Sequence, residues 1–446
     1  MRSFKINPTS SLKKKTLSLK GDKSIAHRLL ILGAISIGKM TLKNFPFNED
    51  CLWTLKALKR LGVKIKLNSS SLSVTIWGKG LYGLKEPKVP LYVGNSGTTF
   101  RLLAGLLAGQ DFKVKLRAGE SLSQRPMLRI TQPLRMMGAD IQARKKIISK
   151  KIEEYPPLII RGRRLSPITY KLPVASAQVK SAILLAGLYA QGETKVIEPI
   201  RTRDHTERLL KLFKAKIKVK QNQILIKGGY PLYAPSEFYI PSDISSASFF
   251  IVLTCCLRGA SLLIKNVSIN PTRIGIIRVL KRMQANIEIR NLEEKKTFEP
   301  MADIKIRYSP LKATKVRREE VPSLIDELPI LMVACSLAEG KSILEGVEEL
   351  RVKETDRIES MVGNLSLMGA KIRVLRHSKN REDIEIEGVS QLKGAKLRSF
   401  SDHRTAMSLT VAGLLAKGDS QIDDFSCIRK SFPEFMEIVK DLVGSL

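Results

Sequence analysis

The fold turns on how one stretch is read: "GKSILEGVEELRVKETDRIESMVGNLSLMGAKIRV", Gly340 to Val374. It opens on glycine and passes through a strand-like apolar pair, Ile343 and Leu344. A loop follows, then a helical pattern of Ile358, Met361, Val362 and Leu365, and a second strand after Gly369. Within the loop, the positions from Arg351 to Arg357 hold Arg351, Lys353, Glu354, Asp356 and Arg357. A run of charge ordinarily marks a solvated helix face. Here both signs crowd between a strand and a helix, which calls for a further reason.

The same plan recurs in six segments, beginning at Gly38, Gly109, Gly192, Gly259, Gly340 and Gly418. All but the last return to a second strand after the helix. Gly62, Gly138 and Gly369 stand where the helix ends, as a left-handed C-cap demands. Each segment is preceded by an apolar helix: "HRLLILGAISI", "TTFRLLAGLLA", "QVKSAILLAGLYA", "SSASFFIVLTCCL", "ELPILMVACSLAE" and "HRTAMSLTVAGLLAK". These are apolar on most faces and so belong inside. Strands such as "KVKL", "KIKVK" and "IEIR" alternate and belong half-exposed. The expected architecture is α/β: six βαβαββ-like repeats of about 70 to 80 residues, with helices buried and sheets outside.

A chain of 446 residues exceeds one ordinary core and predicts two to four domains. With 43% hydrophobic and 27% charged residues it is globular rather than disordered. The N-terminus lacks a secretory pattern, and the longest apolar runs fall short of the roughly 20 residues that span a bilayer. A soluble cytosolic protein is expected. The cysteines at 51, 255, 256, 335 and 427 have no metal or redox spacing and read as buried free thiols. The four histidines are scattered, without a His-rich metal site. The net charge of +35 admits nucleic acid, a membrane surface or small anionic substrates. The basic runs "RKKIISKK" and "RGRR" contain no interleaved aromatics to stack on bases.

The starts of the buried helices carry the functional signal. They read "GDKS", "GNSGT", "VASAQ", "PSDISS", "SLIDE" and "FSDH". Each offers a capping residue. One cap is ordinary; six in register, with Lys23, Arg28, Arg101 and Arg404 beside them, predict convergent N–H groups and cations that bind an anionic ligand. In the charged loop, Lys353 and Arg357 add cations. Glu354 and Asp326 are carboxylates suited to proton transfer, since neighbouring cations favour the ionised, basic form. A surface ion-pair network explains the same spacing.

Ten motifs extend the case: "GDKSIAHR", "GNSGTTFR", "SQRPM", "PVASAQVKSAILLAGL", "TRDHTE", "NPTRIG", "LIDELPI", "RVKETDR", "SDHRTAMS" and "SFPEF". Together, in this order, they resemble the 5-enolpyruvylshikimate-3-phosphate synthase family from residue 21 to 435, and "SAQVKSA" with "IDELP" resembles its bacterial class II branch. The resemblance implies a two-domain inverse α/β barrel with three repeats per domain. One domain would comprise residues 1–20 and 243–446, the other 21–242, with the active site in the cleft between them. The implied reaction transfers the enolpyruvyl group of phosphoenolpyruvate to the 5-hydroxyl of shikimate 3-phosphate. No metal or organic cofactor is implied, nor a nucleic-acid or membrane partner, and a cytoplasmic monomer is expected.

By motif position, the resemblance assigns Lys23, Ser24, Arg28, Ser176, Ala177, Gln178, Arg203, Asp326 and Lys353 to shikimate 3-phosphate. It assigns Lys23, Gly97, Arg125, Gln178, Arg357, Arg404 and Lys430 to phosphoenolpyruvate, and Asp326, Glu354 and Lys23 to catalysis. Ala177 stands where some members carry a second serine, and Leu102 where many have proline. Gly97 lacks the methyl group of strongly glyphosate-tolerant members. Two alternatives differ in what they need. An enolpyruvyl transferase acting on a UDP-sugar usually has a reactive cysteine in the loop that reads "GESLSQRPM" here, and this loop has none. A basic nucleic-acid-binding repeat protein would need neither Asp326 nor Glu354.

Overall fold

Capping chemistry sets where the buried helices begin. The computed structural model describes residues 4–148, 151–293, 298–378 and 381–444, so Ser149 and Lys150 of the basic run lie outside the described residues. Asp22 accepts hydrogen bonds from the Ser24 and Ile25 amides and starts helix Lys23–Ala34. Ser96 caps Gly97–Ala108, Ser176 caps Ala177–Gly187, and Asp243 caps Ile244–Cys256. Asp402 caps His403–Leu414 through the Arg404 and Thr405 amides. The remaining helix departs from the expected register. Leu328–Ser336 has Glu327 at its N-cap with no side-chain cap bond. Its first turn carries a proline, which pre-sets helical φ without needing an N–H partner. Asp326 is therefore no cap, and its carboxylate is left for another partner.

These six helices are almost wholly buried. The sheets lie outside them: five have four strands and one has three. The strands alternate buried and exposed positions, as Lys39–Lys43 and Lys113–Arg117 do. The amphipathic helices of the charged segments, such as Glu49–Arg60 and Arg357–Leu367, end before glycines in the left-handed region; φ is 86° at Gly62 and 83° at Gly369. The three-stranded sheet belongs to the last repeat, which lacks a return strand. There the N-terminal strand Phe4–Ile6 pairs antiparallel with Ser420–Ile422.

The chain divides into two units, Met1–Lys20 with Pro241–Leu446, and Gly21–Ile240. Each holds three sheets and its own apolar core. The strand pairing shows why the chain crosses twice. Thr16–Ser18 precedes helix Lys23–Ala34 but pairs with Ser261–Ser268, the strand after helix Ile244–Cys256. Glu237–Tyr239 precedes that second helix but pairs with Lys39–Lys43. The two segments thus exchange places. The second boundary falls between Ile240 and Pro241, ahead of the expected 242/243 boundary. Hydrogen bonds place it: the Ile240 amide donates to the Lys43 carbonyl, whereas the Ser242 and Asp243 amides donate to those of Asn266 and Lys20.

The five cysteines are free, and four are buried. Among the described residues no helix is long and apolar enough to cross a membrane. Packing between buried helices is closest at Gly105, where an added Cβ would lie 2.2 Å from the Ala182 carbonyl oxygen. Backbone cannot yield there as a flexible side chain would. Gly105→Ala should therefore destabilise the Gly21–Ile240 unit by about 1–3 kcal/mol, read as a lower urea midpoint at unchanged slope. An unchanged midpoint would show that the two helices separate without cost.

Candidate active site

In the Gly21–Ile240 unit, three helix N-termini are tied together by hydroxyl, amide and imidazole groups and by two arginines. His27 Nδ1 lies 2.7 Å from Thr54 Oγ1, which is 2.6 Å from Thr99 Oγ1, itself 2.7 Å from Ser96 Oγ. Burial, and then the charges of Lys23 and Arg28, push the His27 pKa well below its ordinary value, so the imidazole is neutral. Arg28 is buried and braces the third helix: it donates to Ser181 Oγ at 2.8 Å, Thr206 Oγ1 at 2.7 Å and the Ser24 carbonyl at 2.9 Å. Arg101 donates to Gln178 Oε1 at 2.6 Å, and Gln178 donates to Thr98 Oγ1 at 3.0 Å.

Around this frame stand the residues expected to meet the ligands. Lys23 is the first residue of its helix, and its Nζ lies 3.1 Å from Asp50 Oδ2. Ser24 follows, its amide occupied by the Asp22 cap. Ser176 is the N-cap of Ala177–Gly187, so Ala177 and Gln178 form its first turn. Gly97 opens its helix between two guanidinium groups. A Cβ there would come within 2.8 Å of an Arg101 nitrogen and 3.2 Å of an Arg125 nitrogen. Arg203 is half-buried in the loop before helix His205–Leu212.

In the other unit the ties are ionic. Arg357 is buried, with Nε 2.9 Å from Asp402 Oδ2, one terminal nitrogen 2.7 Å from Glu354 Oε2 and the other 3.4 Å from Asp326 Oδ1. Burial opposes its charge, but the carboxylates of Asp402, Glu354 and Asp326 outweigh that and hold its pKa above the ordinary value. The next residue after Asp326 faces elsewhere. Glu327 takes Arg273 at 3.3 Å and the Ser245 hydroxyl, tying in helix Ile244–Cys256. Arg404, in the first turn of the Asp402-capped helix, is buried, and its Nε has no hydrogen-bond partner among the described residues. Lys353 Nζ lies 3.6 Å from Glu349 Oε1, and Lys430 Nζ 3.4 Å from the Ser401 carbonyl oxygen.

The charged loop thus has two jobs. Arg351 donates to Asp356 at 2.5 Å and, through two nitrogens, to Glu382 at 2.5 and 3.0 Å. Asp356 also caps helix Arg357–Leu367. Those two charges fix the loop; Glu354 and Arg357 remain with the carboxylate cluster. Sequence reasoning missed Asp50, Glu327 and the pairing of Asp402 with Arg357. Asp402 was legible only as a cap, and the other two gave no local signal.

The positive charge is uneven. Residues 21–240 contain 39 Lys and Arg against 14 Asp and Glu, a net +25 of the chain's +35. This unit also holds its helix starts with neutral hydroxyl and amide groups, so its cations are not consumed by carboxylates to the same degree.

Residues 6–439 match the model of the family described as EPSP synthase (3-phosphoshikimate 1-carboxyvinyltransferase). The chain belongs to the EPSP synthase family. It is 47% identical over 441 residues to the 3-phosphoshikimate 1-carboxyvinyltransferase of Syntrophomonas wolfei, covering 99% of this chain and 100% of that one. It is 44% identical to the protein of that name from Citrifermentans bemidjiense, covering 99% and 100%. Among solved structures, an EPSP synthase from Acinetobacter baumannii superposes with a TM-score of 0.85 at 41% identity, covering 100% of this chain and 99% of that one. The two-domain α/β fold is that of the EPSP synthases.

The division of labour in the loop is measurable. Arg351→Met should lower stability by about 1–3 kcal/mol, because Glu382 and Asp356 lose charged hydrogen bonds. Glu354→Gln should cost less than about 1 kcal/mol, since Arg357 keeps Asp402 and Asp326. Urea unfolding of both variants checks this; equal losses would mean that the loop is structural throughout.

Proposed function

We infer that the chain performs the reaction of its family with the groups gathered at these helix starts. The reaction transfers the enolpyruvyl group of phosphoenolpyruvate to the 5-hydroxyl of shikimate 3-phosphate and releases phosphate. The observation that carries the assignment is the grip of buried Arg357 on both Asp326 and Glu354. One cation orients two carboxylates whose spacing suits separate proton transfers.

The chemistry is addition followed by elimination. Asp326 accepts the proton of the 5-hydroxyl as its oxygen attacks C2 of phosphoenolpyruvate. Glu354 and Lys23 handle the proton that C3 gains in the addition and gives up again in the elimination, as the bond from C2 to the phosphate oxygen breaks and phosphate leaves. Ser176, Ala177, Gln178, Arg203, Ser24 and Lys353 hold shikimate 3-phosphate, with Arg28 bracing their helices. Gly97, Arg125, Gln178, Arg357, Arg404 and Lys430 surround phosphoenolpyruvate. Gly97 fits this role because a side chain there would displace the guanidinium groups beside it. Helix N-termini and charge-assisted hydrogen bonds suit multiply anionic ligands. Because the carboxylates lie in one unit and Lys23 in the other, the reaction draws on residues of both units. Cysteines kept as thiols fit a reducing cytoplasm, and the reading takes the protein as a monomer whose two units each hold a core. Neither nucleic acid nor membrane has a part in the reaction.

Phosphate release from phosphoenolpyruvate should require shikimate 3-phosphate. Lys23→Met, Asp326→Asn and Glu354→Gln should each lower turnover by a factor on the order of a hundred or more. Of the two carboxylate variants, only Asp326→Asn should also weaken binary shikimate 3-phosphate binding in calorimetry. The reverse pattern would exchange the roles of the carboxylates, and normal turnover in all three would refute the site. Steering by the +25 unit predicts in addition that kcat/KM falls as ionic strength rises; a flat profile would remove the electrostatic part of the account.

A further inference from the structure

A second buried cluster of charge lies behind the shikimate-phosphate groups. Lys180 is fully buried, one turn into helix Ala177–Gly187. Its Nζ lies 2.6 Å from Glu207 Oε1 and 3.1 Å from Glu198 Oε2, and both carboxylates are buried. Glu198 does more than neutralise the lysine. Its other oxygen accepts the Thr202 amide at 3.1 Å and the Thr202 hydroxyl. Its carbonyl accepts the Asn222 side chain at 3.0 Å. On the far side of Arg203, Asp204 accepts Arg208 at 2.8 Å. Arg203 is thus the residue between two tethered neighbours.

A buried ion pair contributes little stability over well-packed apolar side chains. Two carboxylates around one lysine are costlier still. Burial pushes the Glu207 pKa up, against the pull of Lys180, and Glu207 Oε2 has no hydrogen-bond partner among the described residues. What the cluster supplies is geometry. Lys180 is fixed on the helix whose first turn holds Ser176, Ala177 and Gln178. Glu198 is fixed to the loop that holds Arg203.

We propose that Lys180, Glu198 and Glu207 form a positioning triad that sets the distance between the Ser176–Gln178 helix start and Arg203, and through it the affinity for the phosphate of shikimate 3-phosphate. The proposal rests on the assignment of those residues to shikimate 3-phosphate. None of the three touches the ligand; each acts through the backbone that Lys180 and Glu198 hold.

Glu198→Ala is the decisive variant, because Lys180 keeps Glu207 as its counter-charge and the core is not left with an unpaired cation. It should raise the dissociation constant of shikimate 3-phosphate about tenfold, with the KM of phosphoenolpyruvate within about twofold of the parent. Amide hydrogen exchange across 199–206 should quicken in the ligand-free protein. Glu198→Gln keeps an acceptor for Thr202 and should restore affinity to within about threefold of the parent. Arg203→Ala supplies the control and should itself weaken shikimate 3-phosphate binding. If Arg203→Ala weakens binding while Glu198→Ala leaves both affinity and exchange unchanged, the triad is overturned and the site stands. A deficit in Glu198→Gln as large as in Glu198→Ala would also overturn it. If Arg203→Ala binds normally, the site assignment fails and takes the triad's role in affinity with it.

Discussion

A guanidinium group out of water must be compensated, and Arg357 is surrounded by three carboxylates. Asp402, Glu354 and Asp326 each take one of its nitrogens. The cost of burying such a charge is several kcal/mol per ion before compensation, so the side chain cannot leave its partners without penalty. That constraint orders much else. It joins the N-termini of Arg357–Leu367 and His403–Leu414 and holds the approach to Leu328–Ser336. It also aims two carboxylates into the same place. On the proposed mechanism the structural and the chemical roles of these acids are one interaction.

The two units use one architectural device with different chemistry. In each, buried helices bring their N-termini together, because three apolar helices can share a core only side by side. In the Gly21–Ile240 unit the starts are joined by hydroxyl, amide and neutral imidazole groups. In the other unit they are joined by Arg357 and by the Arg273–Glu327 pair. The contrast follows from what each must supply. In the unit proposed to present cations the helix starts meet through hydroxyl, amide, imidazole and arginine groups, and carboxylates gather only around Lys180, one turn further in; in the unit proposed to move protons, carboxylates meet at Arg357.

Periodicity made the repeats legible, because apolar residues at helical spacing, alternating strands and glycines at helix ends repeat along the chain. The cap residues made five of the buried helix starts legible. Asp326 and Glu327 mark where that reading stops. Side by side in "IDE", they look alike, and a cap was the natural expectation for the first. Helix Leu328–Ser336 instead starts later, leaving Asp326 to Arg357 and Glu327 to Arg273 and Ser245. Asp402 reaches Arg357 across 45 positions of sequence. Such pairings are set by packing between distant segments, and spacing along the chain carries no trace of them. In the charged loop Arg351 and Asp356 form the expected ion-pair network, and Glu354 with Arg357 is the part proposed for the site.

The account stands on the coupling between Arg357 and Asp402, and a double-mutant cycle measures it. Unfolding free energies of Arg357→Met, Asp402→Ala and the double variant, compared with the parent, isolate the pairwise term. A coupling of at least about 1.5 kcal/mol is predicted, as for groups that share one buried network. Losses that add within about 0.5 kcal/mol would contradict the account, since the two residues would then be acting independently.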